Sequence, residues 1–544
     1  MIFGEHTKPS MSGFEEEKST KLFWLRPAFH DLQKPNFPLQ KWWKSLKKKK
    51  TMVTYALSAT ALLVLSFLLL VISAMLFSGT LELTGYRVYS SSREVVEEAS
   101  PIISPSLEFP LDCNTWNQTN SCPLMNPNSQ RPTRDPSPNP QTCPEYFRWI
   151  HQDLRHWRQT GITRESVENA RRTAHFRLVI RDGKVYVEKL RDSIQSRAQF
   201  TIWGIVQLAR LYPGRLPDLE IMFDSDDRPV VEEKHFRARG SETPALFRYC
   251  SDWRSLDIVF PDWSFWGWAE TNIKPWRSVL EEIKEGNKRT KWEDRVPYAY
   301  WRGNPHVAPW RGDLMRCNLT QQNDWNTRLY VQDWIAQSQQ GFKQSNLGDQ
   351  CTHRYKIYIE GWAWSVSEKY IMACDSPTLL MTLRWYDFFV RGMIPQHHYW
   401  PVRENDKCKS SKFAVEWGNN HTQKAKAIGE AGSRFIHEDL KMENVYDYMF
   451  HLLNEYAKLF KYKPTIPPNA REICPESMAC SADGNWRKFM EESLEKSPRD
   501  LSPCTMPPPY EPQELEAFLD QKDKATREVE AWENDYWNKH NTNK

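Results

Sequence analysis

No cysteine precedes Cys113, and no charged residue lies between Val53 and Phe77. A strong net charge is missing too. Lys and Arg total 73 against 69 Asp and Glu, which leaves +4 over 544 residues, so the charge balance points to no nucleic-acid or polyanion partner. The sequence has neither a P-loop nor a GxGxxG glycine pattern, no internal repeat and no tight paired-cysteine zinc spacing. Its final residues, NKHNTNK, are not a Lys-Asp-Glu-Leu retrieval signal. What the chain does contain is 40% apolar residues and a length beyond one ordinary domain, enough for sizeable cores.

The charge-free stretch VTYALSATALLVLSFLLLVISAMLF has the length of a membrane-spanning helix, since ~1.5 Å of rise per residue covers a ~30 Å hydrocarbon core. It lies too far from Met1, and runs too long, for a cleaved signal peptide. Residues 1–51 hold 11 Lys or Arg and end in KSLKKKK, whereas the 15 residues after Phe77 hold only Arg87. This asymmetry predicts a type II orientation: a cytosolic tail over 1–51, a signal-anchor helix over 52–77, and the rest in a secretory lumen. A membrane anchor with a short stem and no retrieval signal favours the Golgi over the ER. All eleven cysteines and the three sequons at Asn117, Asn318 and Asn420 fall on the lumenal side, consistent with disulfides and N-linked glycans. The odd count leaves one thiol over, and Cys374, within an apolar helical pattern, is the expected buried free one.

Residues 101–140 contain nine prolines, and residues 78–140 read as a lumenal stem. From 141 onward short apolar runs alternate with helical patterns, the grammar of an α/β fold. FRLVIRDGKVYVE predicts a hairpin turning on Asp-Gly, FTIWGIVQLARLY a helix, and DLEIMF, YKIYIEG and TLLMTL buried strands. Two long helical patterns close the chain, the last over 511–544.

Two stretches carry chemistry. FDSDDRPVV places Asp224, Asp226 and Asp227 directly after a strand. They suit a metal-chelating Asp-x-Asp, a general base, or an acidic turn. Crowding of like charges raises a carboxyl pKa, and Arg228 opposes this. In IYIEGWAWSVSEK a strand, a turn at Gly361 and a Ser365–Glu368 capping box predict a helix N-terminus aimed above the sheet, suited to a diphosphate, with Lys369 adding charge. An ordinary βαβ crossover with nothing bound fits the same spacing. DWSFWGWAE concentrates tryptophans that serve core packing or sugar stacking. His397 and His398 diverge on an extended loop and are assigned no metal.

YKIYIEGWAWSVSEKYIMACDS, with AYWRGNPH upstream and VYDYMFHLLNEYAKL downstream, closely resembles the Rumi-like protein O-glucosyltransferases of glycosyltransferase family 90, their plant members in particular. The resemblance covers roughly 140 to 510. It implies a GT-B fold of two Rossmann-like domains facing a cleft, an acceptor half over 141–295 and a UDP-sugar half over 296–480. The implied reaction moves glucose or xylose from a UDP-sugar to a hydroxyl of a secreted protein, or xylose to a polysaccharide. It is inverting and needs no metal or other cofactor. A catalytically inactive glycan-binding Golgi protein is the reading of another class.

In the resembled family the base follows a strand in an Arg-Asp-aromatic-Pro context. Aligning Pro229 places it at Asp227, with Asp226 and Arg228 standing where the arginine and the aromatic would be; Asp224 and Asp226 remain alternatives. The donor segment maps to Arg302, Gly303, Gly361, Trp364, Ser365, Val366, Ser367 and Lys369. Asn304-Pro305-His306 replaces Ser-Arg-Thr, which leaves Arg311 as a substitute second arginine. A structural ion pair is the other role open to Arg302.

Overall fold

In the computed structural model, residues 109–123, 141–236, 242–499 and 501–542 are described. The tail, the apolar stretch Val53–Phe77 and most of the stem lie outside them; the chain divides at Pro101, and every described residue belongs to the second unit. Among the described residues no helix is long and apolar enough to cross a membrane.

Two sheets organise the domain. In the first, β1 (Phe176–Arg181) pairs antiparallel with β2 (Lys184–Lys189) and with β3 (Leu219–Phe223). β4 (Leu246–Arg248) and β5 (Ile258–Val259) continue it in parallel. The β1–β2 turn places Asp182 at φ 49° and Gly183 at φ 75°, the double left-handed step that Asp-Gly supplies. The second sheet is wholly parallel, in the order β10-β9-β8-β6-β7: β6 (Val296–Gly303), β7 (Thr327–Val331), β8 (His353–Tyr358), β9 (Thr378–Met381) and β10 (Trp400–Val402). β9 is an apolar run buried on both faces, and β8 is buried at all but one position, whereas the edge strand β7 ends on the exposed Tyr330 and Val331. From β6 the chain moves outward to β7, then returns to the other side of β6 for β8, β9 and β10. The sheet therefore reverses direction between β6 and β8, where open α/β sheets hold ligands at their strands' carboxyl ends.

The halves are not consecutive. β11 (Arg471–Ile473) pairs with β2, and the helix Met442–Ala457 packs in the first core. A second half running to 480 is thus corrected: the chain returns to the first sheet before then. The tryptophan-rich 262–270 stretch is core, with Trp263 and Trp266 buried, and the helix Arg197–Leu211 is buried almost all round. The terminal helix Pro512–Thr542 covers the second core through Val529, Trp532 and Tyr536.

Five disulfides join Cys113–Cys480, Cys122–Cys474, Cys143–Cys504, Cys317–Cys408 and Cys351–Cys374. Two expectations are corrected here. Cys374 is paired, because the chain entering β8 and the helix before β9 meet with their Cα atoms 5.3 Å apart; the unpaired, buried cysteine is Cys250. Residues 109–123 are not stem. They form the helix Cys113–Thr119, held by two disulfides and by the buried Arg210, which donates to the Phe109 carbonyl.

Candidate active site

β3 ends at Phe223, and the three aspartates that follow have three different environments. Asp224 is buried. It meets the guanidinium of Arg248, the Arg191 Nη2 at 3.3 Å, the Asp226 N–H at 3.0 Å and the His175 Nδ1 at 3.2 Å. Burial pushes its carboxyl up, but the His175 contact and the Arg248 charge outweigh that and hold it below the ordinary value. Like-charge crowding therefore does not govern Asp224, and Arg228 is not what opposes it.

Asp226 has a side chain 40% exposed and only long contacts, 3.5 Å to Arg191 and 3.7 Å to His175. His175, Asp224 and Asp226 are close enough together to hold a cation, but an ion there would have to compete with Arg248 and Arg191 for Asp224. Asp227, 31% exposed, accepts from Arg197 Nη1 at 2.7 Å. The same nitrogen donates to the Ser225 carbonyl at 3.1 Å, and the guanidinium stacks on Trp263 with 4.5 Å to the ring centroid. Beneath, the Cys250 thiol donates to the Asp227 carbonyl at 3.1 Å, and burial pushes that thiol up. Asp257 caps the Val230 and Val231 N–H groups, and burial raises its carboxyl to about 6.

Across from these aspartates, the carboxyl ends of β6 and β8 flank the reversal point of the second sheet. Arg302, at the end of β6, donates from Nε to Gln332 Oε1 at 2.7 Å and has no ion pair among the described residues, so the structural ion-pair reading of it fails. Gly303 does face a close approach, but from within: a Cβ there would sit 2.4 Å from the Trp301 ring. Arg311 is buried without an ion pair among the described residues. It donates to the Glu360 carbonyl at 2.9 Å, the Ile359 carbonyl at 3.1 Å and Ser365 Oγ at 3.1 Å, and burial lowers it to about 10. A guanidinium charge held this way, beside a loop of strand-end backbone, is suited to an anion.

The loop after β8 departs from expectation in detail. The helix begins at Ser367, is six residues long and has no side-chain cap. Ser365 Oγ lies between Arg311 and Ser367 Oγ, 2.9 Å away, and Glu368 is buried beside Tyr358, with burial raising its carboxyl, so the Ser365–Glu368 box is not formed. Lys369 is buried on Asp262 at 2.9 Å and Ser264 Oγ at 2.8 Å, a partnership that engages its charge within the core. Trp364 is buried against Tyr249 and Trp263. Val366 and Ser367 are half-buried, and a Cβ on Gly361 would meet only ordinary contacts. Trp362 is the exposed member, at 46%.

Several of these side chains were not legible beforehand: His175, Arg191, Arg197, Arg248 and Trp362. Arg248 alone left a signal, a charge inside a buried strand, which is rare unless paired.

The sequence model of glycosyl transferase family 90 matches residues 138–533. The chain belongs to glycosyltransferase family 90. Its match spans both sheets and most of the terminal helix. Drosophila melanogaster O-glucosyltransferase rumi is 22% identical over 341 residues, covering 60% of this chain and 80% of that one. Human protein O-glucosyltransferase 1 is 25% identical over 360 residues, covering 62% and 86%. A rumi homologue of Aedes aegypti is 26% identical over 330 residues, covering 58% and 78%. Among solved structures, sucrose-phosphate synthase of Thermosynechococcus elongatus overlaps 48% of this chain and 62% of its own at 10% identity, with a TM-score of 0.25, too low to carry weight.

Proposed function

We propose that this family 90 enzyme transfers glucose or xylose from a UDP-sugar to a hydroxyl of a secreted protein, by inversion and without a metal, on a GT-B arrangement of its two sheets. The observation that carries this reading is the reversal point between β6 and β8, flanked by Arg302 and by the Arg311-braced loop 359–365, with the aspartates after β3 joined to that loop through Arg228. The names of the rumi and protein O-glucosyltransferase 1 relatives favour a protein acceptor.

Of the three carboxylates Asp227 fits the base best. It is part-exposed, has Arg197 as its one ion-pair partner among the described residues, and adjoins the residue that reaches the proposed donor loop. Asp227 accepts the acceptor's proton as that oxygen bonds to C1 of the sugar, and the C1–O bond to UDP breaks on the opposite face. The charge arriving on the diphosphate is taken up by Arg302, with Arg311 as a fixed positive centre behind the loop. A type II Golgi anchor at Val53–Phe77 and five disulfides suited to an oxidising lumen complete the proposal. UDP release with Asp227→Asn beside the wild type tests it.

A further inference from the structure

Arg228 follows the proposed base, and its side chain leaves the first sheet for the second. Its Nε donates to the Trp362 carbonyl at 3.0 Å. Its guanidinium lies 3.8 Å from the Trp362 ring centroid and 5.5 Å from that of Trp385. No carboxylate pairs with it among the described residues. An exposed arginine usually keeps its charge in water, so a guanidinium laid flat on an indole is held there by stacking and cation–π attraction together.

Both ends of this contact are fixed. The Arg228 carbonyl accepts from Arg248 Nη1, the guanidinium that also grips Asp224. Val230 and Val231, just beyond, are capped by Asp257. On the other side Glu360 is the hub. Its carbonyl accepts from Trp310 Nε1 at 3.0 Å and Arg311 Nε at 2.9 Å, and its carboxyl accepts from the Arg384 and Trp385 N–H groups at 2.8 and 2.9 Å. Arg228 is thus a strut between two braced loops. One carries Asp227, and the other adjoins the proposed donor site.

We propose that Arg228 is a positioning residue that couples the Asp227 loop to the loop 359–367, so that a nucleotide seated on the second sheet also orders the base. This rests on the reading of the β6–β8 reversal point as the donor site. Near-attack geometry makes such coupling consequential, since a misplacement of ~1 Å lowers a rate about 100-fold. Asp227 keeps Arg197 when the strut is cut, so the carboxylate stays in place on average and loses its alignment to the donor side.

The test uses the full-length chain in detergent with UDP as the probe, read by hydrogen–deuterium exchange. In the wild type UDP slows exchange in residues 359–367 and also in 226–231. In Arg228→Ala, and in Trp362→Ala, protection of 359–367 persists while that of 226–231 disappears. Arg228→Lys restores part of it, with the Tm unchanged throughout. Protection of 226–231 that survives Arg228→Ala, or that never occurs although 359–367 responds, overturns the strut. Absence of any response at 359–367 overturns the donor-site reading beneath it.

Discussion

Arg197 Nη1 lies 2.7 Å from Asp227 Oδ1, while three residues earlier Asp224 is enclosed by Arg248, Arg191 and His175. Neighbouring carboxylates thereby sit in two environments, one part-exposed and singly paired, the other buried and multiply paired. Asp224→Asn leaves Arg248 without its closest anion in the core, and breaking a buried pair costs roughly 3–5 kcal/mol. Asp227→Asn loses a part-exposed pair worth roughly 0–1 kcal/mol. Thermal unfolding of the two variants is expected to show a large drop in Tm for the first and almost none for the second. Equal drops would contradict the division.

The proposed donor site separates two arginines. Arg302 is free of carboxylates, and a charge-assisted contact to a phosphate is worth roughly 1.5–3 kcal/mol. Arg302→Ala is expected to weaken UDP binding about 10- to 100-fold at an unchanged Tm, as titration calorimetry reads it. Arg311→Ala also strips two carbonyls and Ser365 of their donor, so it is expected to lower both UDP affinity and Tm.

Burial raises Glu360 from 4.5 to about 7, against the opposing bonds from the Trp385 and Arg384 N–H groups and the Arg384 side chain. Arg311 and Tyr358 also face it, as does Glu368. With a folded pKa above the unfolded one, its contribution is fully present below about 4.5 and is lost as pH rises through about 7. Glu360→Gln stays neutral at every pH. The Tm of the variant is therefore expected to gain on that of the wild type between about pH 5 and pH 8. A difference constant with pH would contradict the assignment.

Glycan occupancy is expected to differ among the three sequons. Asn117 and Asn420 are exposed. Asn318 pairs both ends of its amide with the Leu329 backbone at 3.0 Å, and a sugar on Nδ2 would displace that contact. Mapping of deglycosylated peptides is expected to find Asn117 and Asn420 modified and Asn318 bare.

What could be read in advance was what neighbouring residues decide. The Asp-Gly hairpin, the apolar strand before the aspartates and the strand-turn-helix after Tyr355 follow from local periodicity and turn chemistry. The cap at Ser365 did not form because Arg311, 54 positions away, takes its hydroxyl while burial draws Glu368 toward Tyr358. Cys374 reads as free in the sequence for a similar reason, since its partner Cys351 is fixed by where two segments meet. Arg197 gives no signal, because a charge at a helix start reads as surface until the helix is seen to begin against Asp227.

The most direct measurement is UDP release by the full-length protein in EDTA, from UDP-glucose and UDP-xylose, against protein and oligosaccharide acceptors, with Asp227→Asn alongside. The account predicts acceptor-dependent release in EDTA that the variant loses by about 100-fold or more. Release that requires added Mn²⁺ would return Asp224-Ser225-Asp226 to a metal role. Release that survives Asp227→Asn would remove Asp227 as the base.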